Sequence, residues 1–173
     1  MAKRVAKFEK VSLEQFITDW KAAFNEENEE VIKAIYENLK LPRRATSGSA
    51  GYDFYTPTHI ILQPHETIKI PTGIRCKIDD EWVLKCYPRS GLGFKYRLQL
   101  NNTVGIIDSD YFYSDNEGHI FAKVTNDTNE SKTVDIPIGQ GFMQGVFVEY
   151  GITVDDDATE IRNGGFGSTT KKA

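Results

Sequence analysis

Two apolar stripes at helical spacing occupy residues 12–40. Large apolar side chains recur every three or four positions in residues 13–24 and again in residues 31–39. This spacing is typical of amphipathic helices. Ser12 precedes the first stripe as a helix cap, and the polar run 25–28 separates the two stripes. The pattern predicts a helical hairpin.

From Leu41 onward, the chain consists of short β-branched and aromatic runs separated by Gly, Pro, Asn and Asp. A similar apolar alternation at residues 4–10 predicts one strand ahead of the helices. Short strands at regular spacing indicate an all-β sandwich, jelly roll or barrel. The expected fold is therefore mainly β, with an inserted α-helical hairpin. The predicted organisation is a first strand in 1–11, the helical hairpin in 12–40, a β core in 41–152 and a flexible C-terminal arm in 153–173.

Net charge, cysteine content and the absence of long apolar runs limit the classes of molecule that the chain is expected to bind. The chain has 173 residues, a formal net charge of −4 and a pI near 5.4, so no basic face for nucleic acid is expected. Cys76 and Cys86 form no metal-binding pair, which favours two buried thiols in a reducing compartment. The sequence contains neither a signal-peptide pattern nor an apolar run of membrane length. We expect a cytoplasmic protein that binds neither nucleic acid nor membrane.

The glycine-rich tail RNGGFGSTT carries the clearest local signal. Glycines allow backbone N–H groups to surround an anion, and Arg162 and Ser168 add donors suited to phosphate oxygens. Phe166, flanked by glycine, offers a face on which a base can stack. The alternative interpretation is a flexible tail with an incidental aromatic residue.

Two turns add further candidates. PRSGLG offers Arg89, the Ser90 hydroxyl and the Gly91 N–H to one phosphate; the alternative is an ordinary strand-to-helix turn with Ser90 as N-cap. SAGYDF places Asp53 in a small, apolar setting, where its carboxylate can face a hydrated metal ion. The alternative for Asp53 is an edge-strand carboxylate paired with arginine.

The segment NNTVGIIDSDY ends an apolar run with Asp108, which can hold a water molecule as general base. A hairpin with solvated aspartates is the alternative. Taken together, the candidates indicate a nucleoside triphosphate and Mg²⁺. The chain lacks both the P-loop pattern and the zinc-deaminase signature.

These segments, in this order, resemble a known family. AGYD, PRSGL, N-x-x-G-x-I-D-x-x-Y, a strand bearing Gln144 and R-x-GGFGST are similar to the five motifs of homotrimeric dUTPases, over Leu41 to Thr170. The resemblance implies a jelly-roll-like β fold and a homotrimer whose active sites draw on all three subunits. It also implies Mg²⁺-dependent hydrolysis of dUTP to dUMP and pyrophosphate.

The resemblance also implies roles for individual residues. Asp108 would orient the attacking water, Asp53 would hold the metal through water, and Tyr111 would pack under the deoxyribose. Arg162 and Phe166 would close from a neighbouring subunit over the γ-phosphate and the base. The implied substrate-binding residues are Arg89, Ser90, Gly91, Asn102, Gly105, Ile107, Tyr111, Gln144, Arg162, Phe166, Gly167 and Ser168.

The chain departs from the family pattern at several points. The helical hairpin is extra, and the segment 112–119 after Tyr111 is longer by about five residues. His119 stands where the family often has Glu and is expected to support this enlarged tip. Gly141 replaces a motif-four arginine, and only Asn163 separates Arg162 from the glycines. Inserts of this kind resemble dUTPases of bacteriophages and Gram-positive bacteria.

Two other functions compete with dUTP hydrolysis. One is the dCTP-deaminase branch of the same superfamily, which the hydrolase-type motifs disfavour. The other is a nucleotide-responsive interaction protein that docks a protein partner on the helical hairpin. Against the second, the helices can simply cover the β core or the trimer rim.

Overall fold

The computed structural model describes residues 2–163 of the chain. Its helices are α1 Leu13–Phe24, α2 Glu29–Glu37 and α3 Ser90–Tyr96, and a 3₁₀ turn spans Ser109–Tyr113. The strands of this part of the chain are β1 Ala6–Lys10, β2 Arg43–Arg44, β3 Tyr52–Tyr55, β4 Ile60–Leu62, β5 Thr67–Pro71, β6 Ile74–Ile78, β7 Trp82–Pro88, β8 Leu98–Leu100, β9 Gly105–Ile107, β10 Phe121–Asn126, β11 Val134–Ile136 and β12 Gly141–Glu149.

The strands form four small antiparallel sheets. The largest has the order β2-β3-β12-β7-β9, and the others are β5-β10-β8, β1-β6 and β11-β4. Neighbours in the sheets are mostly distant along the chain, so the topology brings widely separated segments together. The predicted mainly β fold is confirmed.

Alternation of side chains builds the main core. In β4, Ile60 and Leu62 are buried while Ile61 between them is exposed. β11 repeats this pattern, with Val134 and Ile136 buried. Because successive strand residues point to opposite faces, each short strand contributes alternate apolar residues to one shared interior.

The helical hairpin forms as the sequence predicts. The Ser12 side chain accepts a hydrogen bond from the Gln15 backbone N–H, and α1 ends at Asn25 in the left-handed conformation. Asn28 caps α2 in the same way, accepting from Glu30. Side-chain caps of this kind satisfy backbone donors that a helix start leaves unpaired.

A second, smaller core holds the helical hairpin together. Its buried members are Val11, Phe16, Trp20 and Ile32, distinct from the core of the sheets. The Val11 N–H donates to the Gly73 carbonyl at 3.0 Å, so this core adjoins the turn between β5 and β6. The hairpin is therefore packed onto the β structure.

None of the helices in the described part of the chain is long and apolar enough to cross a membrane. Residues 153–161 are exposed and carry no helix or strand.

The smaller core gives a direct stability test. Ile32 is fully buried, whereas its neighbour Val31 is 43% exposed. Ile32→Ala is expected to lower the free energy of unfolding by about 2–5 kcal/mol, because it removes buried apolar volume and leaves a cavity. Val31→Ala is the matched control and should change it by less than about 1 kcal/mol. Denaturant titration measures the free energy of unfolding of both variants. Equal losses in the two variants would contradict the burial of Ile32 in this core.

Candidate functional site

A pocket of about 250 Å³ opens beside the β8–β9 turn. Asn102, Gly105, Ile107, Tyr111 and Arg162 all line it. The sequence predicted these five residues as substrate contacts. The structure brings them together around one cavity, although they come from a turn, a strand, a 3₁₀ turn and the C-terminal arm.

Strand β7 supplies part of the pocket wall. Cys86 lies opposite Gly105 in the β7–β9 register, and Met143 of β12 also lines the cavity. A Cβ atom at Gly105 would stand 3.1 Å from the Cys86 Cβ, so a larger residue there would crowd the pocket. Sequence reasoning missed Cys86 and Met143, because their apolar strands indicate burial but not which cavity each residue faces.

Asp108 lies at the edge of this pocket. It follows β9 directly and occupies the N-cap position of the 3₁₀ turn, with no side-chain capping bond. Its Oδ2 lies 2.5 Å from Arg162 Nη2, while Arg162 Nε donates to Asp110 Oδ1 at 2.9 Å. Asp108 is therefore paired rather than merely solvated. A carboxylate so placed can accept a proton or hold a water molecule.

A second group gathers where β3, β7 and β12 run side by side. The register sets Asp53 opposite Gln144, and Arg89 Nε lies 3.2 Å from Asp53 Oδ1. Gln144 Nε2 donates to the Pro88 carbonyl at 3.2 Å. A Cβ atom at Gly141 would stand 3.0 Å from Arg89 Nη1, so this glycine gives the guanidinium its space. The arginine pairing of Asp53 corresponds to the alternative interpretation, but β3 is not an edge strand.

The PRSGL segment adopts a strand-to-helix turn. Helix α3 begins at Ser90 with Arg89 at the N-cap position and no side-chain capping bond. The interpretation of Ser90 as N-cap is therefore wrong by one residue. Arg89, Ser90 and Gly91 are all exposed, and the Arg89 guanidinium also pairs with Asp53.

The two groups remain separate within one chain. Across residues 2–163, no hydrogen bond or ion pair joins Asp53, Arg89 and Gln144 to the pocket beside Asp108. The predicted contacts Phe166, Gly167 and Ser168 lie outside the described residues.

The carboxylates near the two groups indicate how a metal ion could bind. In the described part of the chain, no three His, Cys, Asp or Glu side chains cluster to hold a metal ion. Asp53 and Asp108 are single carboxylates. Mg²⁺ commonly keeps several waters and binds through one or two carboxylates plus substrate phosphates. These residues fit Mg²⁺ bound chiefly by substrate and water, and they do not form a protein cage.

His119 was expected to support the enlarged tip, and it does so from a fully buried position. Its Nδ1 contacts Asp19 Oδ2 of α1 at 2.5 Å, and its backbone carbonyl accepts from the Tyr111 hydroxyl at 2.7 Å. The helical hairpin thus contacts the segment that follows the pocket. Sequence spacing gave no sign of the contact between Asp19 and His119, which are 100 positions apart.

Comparison with known proteins gives a consistent result. The family profile described as dUTPase matches residues 37–170. The deoxyuridine 5'-triphosphate nucleotidohydrolase of Lactococcus lactis is 40% identical over 144 residues, covering 82% of this chain and 95% of the relative.

Two solved structures extend the comparison. The Streptococcus mutans dUTPase shares 31% identity and superposes with a TM-score of 0.61, covering 84% of this chain and 97% of that one. The dUTPase of Staphylococcus aureus phage phi11 has a TM-score of 0.61 at 19% identity, covering 91% and 97% of the two chains. This second likeness is one of fold.

The cysteines permit a test of the pocket wall. Burial raises the pKa of Cys86 to about 12, and burial together with the nearby Cys86 raises the pKa of the Cys76 thiol further. Both thiols are free and buried, so almost no thiolate forms near pH 8. We expect no labelling by a thiol reagent in the native protein at pH 8 and two thiols labelled after denaturation. Rapid native labelling of Cys86 would contradict this wall.

Proposed function

The chain belongs to the dUTPase family and hydrolyses dUTP, and from this premise we propose that Asp108 orients the attacking water. The observation that carries this assignment is the position of Asp108. It directly follows the strand that lines the pocket and precedes Tyr111, whose ring lines the same pocket. A base held in this pocket would direct its sugar and phosphates toward the carboxylate.

We infer that the β8–β9 turn reads the uracil edge. Asn102 and the backbone of β9 offer donors and acceptors beside the pocket, and the pocket wall would exclude the methyl group of thymine. A site that satisfies the hydrogen bonds of uracil leaves buried groups unpaired with cytosine. Each such group costs about 1–3 kcal/mol.

The proposed chemical step is one in-line displacement. The water oxygen bonds to the α-phosphorus, and the bond from that phosphorus to the bridging oxygen of pyrophosphate breaks. The Asp108 carboxylate orients the water and takes its proton as the attack proceeds. Orientation of this kind lowers the barrier because the nucleophile is already aligned.

We assign the phosphate contacts to the second group of residues. Arg89, Ser90 and Gly91 form an exposed turn, and Gln144 lies on the neighbouring strand. The guanidinium of Arg89 suits phosphate oxygens. When bound, Mg²⁺ would disperse the charge of the triphosphate, and Asp53 would face it through water.

We propose that a homotrimer completes the site. Asp53, Arg89 and Gln144 do not contact the pocket group within the described chain, which favours contribution by different subunits. In the single chain, Arg162 pairs with Asp108 and Asp110. A triphosphate would compete with these carboxylates for the guanidinium. Arg162 would then bind the γ-phosphate, and Phe166, Gly167 and Ser168 would cover the base and phosphates.

Some interpretations stay predictions. A protein partner for the helical hairpin and a cytoplasmic location are untested. The packing of the hairpin against the tip gives these helices a role that requires no partner. The dCTP-deaminase alternative is disfavoured, since the curated relatives are named as dUTP hydrolases.

The role of Asp108 can be tested with a panel of nucleotides. Asp108→Asn keeps the shape of the side chain but removes the basic carboxylate, so kcat for dUTP is expected to fall by about 10²–10⁴-fold. Pyrophosphate release from dUTP, dCTP, dTTP and UTP measures activity and selectivity. The wild type should act on dUTP with Mg²⁺ and little on the others.

Asp110→Asn is the matched control for this test. Asp110 also binds Arg162, but it lies two residues after Asp108, within the 3₁₀ turn, and has no role in the proposed reaction. Its activity should stay within about tenfold of the wild type. If Asp108→Asn kept most of its activity, the assignment of the water-positioning residue would be wrong. Ammonia release from dCTP would support the deaminase alternative.

Subunit mixing tests whether sites are shared. Asp108→Asn disables the pocket group, and Arg89→Ala disables the separate group that contains Asp53 and Gln144. If these groups meet from neighbouring subunits, unfolding and refolding an equal mixture should restore about a quarter of wild-type activity, since every mixed trimer regains one of its three sites. Each variant refolded alone is the control. If mixtures shown to contain trimers of both variants recovered no activity, both groups of a site would have to come from one chain.

A further inference from the structure

The two segments that the family pattern does not include are packed against each other. Glu117 of the enlarged tip accepts hydrogen bonds from the Ser12 backbone N–H at 2.7 Å and from its hydroxyl at 2.6 Å. Deeper inside, Asp19 of α1 contacts His119. The helical hairpin and the tip 112–119 therefore form one continuous structure.

His119 is the centre of this junction. The Gly73 backbone N–H donates to its Nε2 at 2.7 Å, so the ring proton must sit on Nδ1 and point to Asp19. The ring also packs against Phe16 of α1 and Phe121 of β10, with centroids 6.2 and 4.6 Å away. The imidazole is thus held on both nitrogens and by neighbouring aromatic rings.

Tyr111 is attached to the same residue. Its hydroxyl donates to the His119 carbonyl at 2.7 Å and accepts from Asn116 Nδ2 at 2.8 Å. Burial raises the pKa of the Tyr111 hydroxyl, which keeps it protonated as a donor at neutral pH. This tyrosine also lines the pocket in which we propose that the nucleotide binds.

The backbone around this attachment is closely packed. Gly118 has a φ of +69°, and a Cβ atom there would stand 2.7 Å from both the Tyr111 carbonyl oxygen and the Phe112 Cα. Only glycine adopts this conformation so close to neighbouring backbone without strain. The tip therefore returns directly over the residue whose ring lines the pocket.

We propose that Asp19 is a positioning residue for Tyr111, acting through His119, and that the helical hairpin thereby sharpens selection of deoxyribose over ribose. This inference rests on the proposed function and on the place of Tyr111 beneath the deoxyribose that the family resemblance implies. A wall that excludes a 2′-hydroxyl must be held within a fraction of an ångström, because a displaced ring admits the extra oxygen. Asp19 fixes His119, and the His119 carbonyl fixes the outer end of the ring.

A second link between the hairpin and the tip takes a different route. Glu117 lies 3.6 Å from Arg75, whose guanidinium stacks 3.5 Å from the centre of the Phe112 ring. Arg75 Nη2 also donates to the Phe112 carbonyl at 3.2 Å. This link supports the tip without a side-chain contact to the Tyr111 hydroxyl, so selectivity is assigned to the Asp19–His119 route.

The test compares kcat/KM for dUTP with kcat/KM for UTP. Asp19→Ala removes the acceptor of the Nδ1 proton, and Tyr111→Phe removes the hydroxyl bound to His119. Each is expected to lower the dUTP/UTP ratio by about two- to tenfold, the effect of losing one hydrogen bond. Asp19→Asn retains an oxygen acceptor, so its dUTP/UTP ratio should stay close to that of the wild type. The double variant should be no worse than the more severe single variant, because both changes break one chain of contacts.

Glu29→Ala is the matched control. Glu29 is a carboxylate on the same helical hairpin, and it pairs with Lys21 at 2.8 Å without contacting His119. Its ratio should equal that of the wild type. If Asp19→Ala does not fold, Gln15→Ala gives a milder change in the same link, since Gln15 Nε2 donates to Asp19 Oδ2 at 2.8 Å. Gln15→Ala is also expected to lower the dUTP/UTP ratio.

Tyr111→Leu distinguishes the sugar-facing role of Tyr111 from the positioning of Tyr111 by Asp19. If it abolishes discrimination while Asp19→Ala leaves the ratio unchanged, the coupling is wrong and the proposed function stands. If Tyr111→Leu itself keeps full discrimination, the sugar-facing role of Tyr111 is wrong and the inference falls with it. The coupling of Asp19 to Tyr111 would also be overturned if the two changes lowered the dUTP/UTP ratio additively in the double variant. The same holds if Glu29→Ala lowered that ratio as much as Asp19→Ala.

Discussion

The register of β7 between β12 and β9 is the constraint on which the site depends. In this register Cys86 faces Gly145 on one side and Gly105 on the other, and the strand leads directly into Arg89 and α3. One strand therefore forms a wall of the pocket beside Asp108 and leads into the turn to which we assign the phosphate contacts. A slip of one residue would reverse every side chain of the strand, which would expose core residues, remove Cys86 from the pocket wall and displace the turn after β7.

The helical hairpin adds a second level of organisation. It has its own apolar core of Val11, Phe16, Trp20 and Ile32, and it would be marginal as an isolated pair of short helices. Docking on the β5–β6 turn supplies the missing contacts. Gly73, with a φ of +74°, makes room for this docking, since a Cβ atom there would overlap Leu39 and approach Phe16. The same contact surface includes His119, so stabilisation of the helices and support of the pocket use the same residues.

Much of the fold could be predicted from local patterns. The helices follow from 3.6-residue spacing and from the caps at Ser12 and Asn28, which are properties of neighbouring residues. Five of the predicted contacts do surround one pocket. The interpretation of Ser90 as the N-cap of α3 is wrong by one residue, since the cap is Arg89, and helix ends are defined only to within one or two residues by local sequence. Cys86 and Met143 were missed because an apolar strand residue carries no local sign of which cavity it faces.

The order of the elements, the two helices and the motifs that carry the chemistry can be predicted from local patterns, since they depend on residues close together in the chain. Which of these residues meet depends on the tertiary fold. The pairing of Asp53 with Arg89, of Asp108 with Arg162 and of Asp19 with His119 joins positions far apart in sequence. Such contacts arise from strand register and from the packing of the hairpin, and no local pattern encodes the distance between two distant side chains.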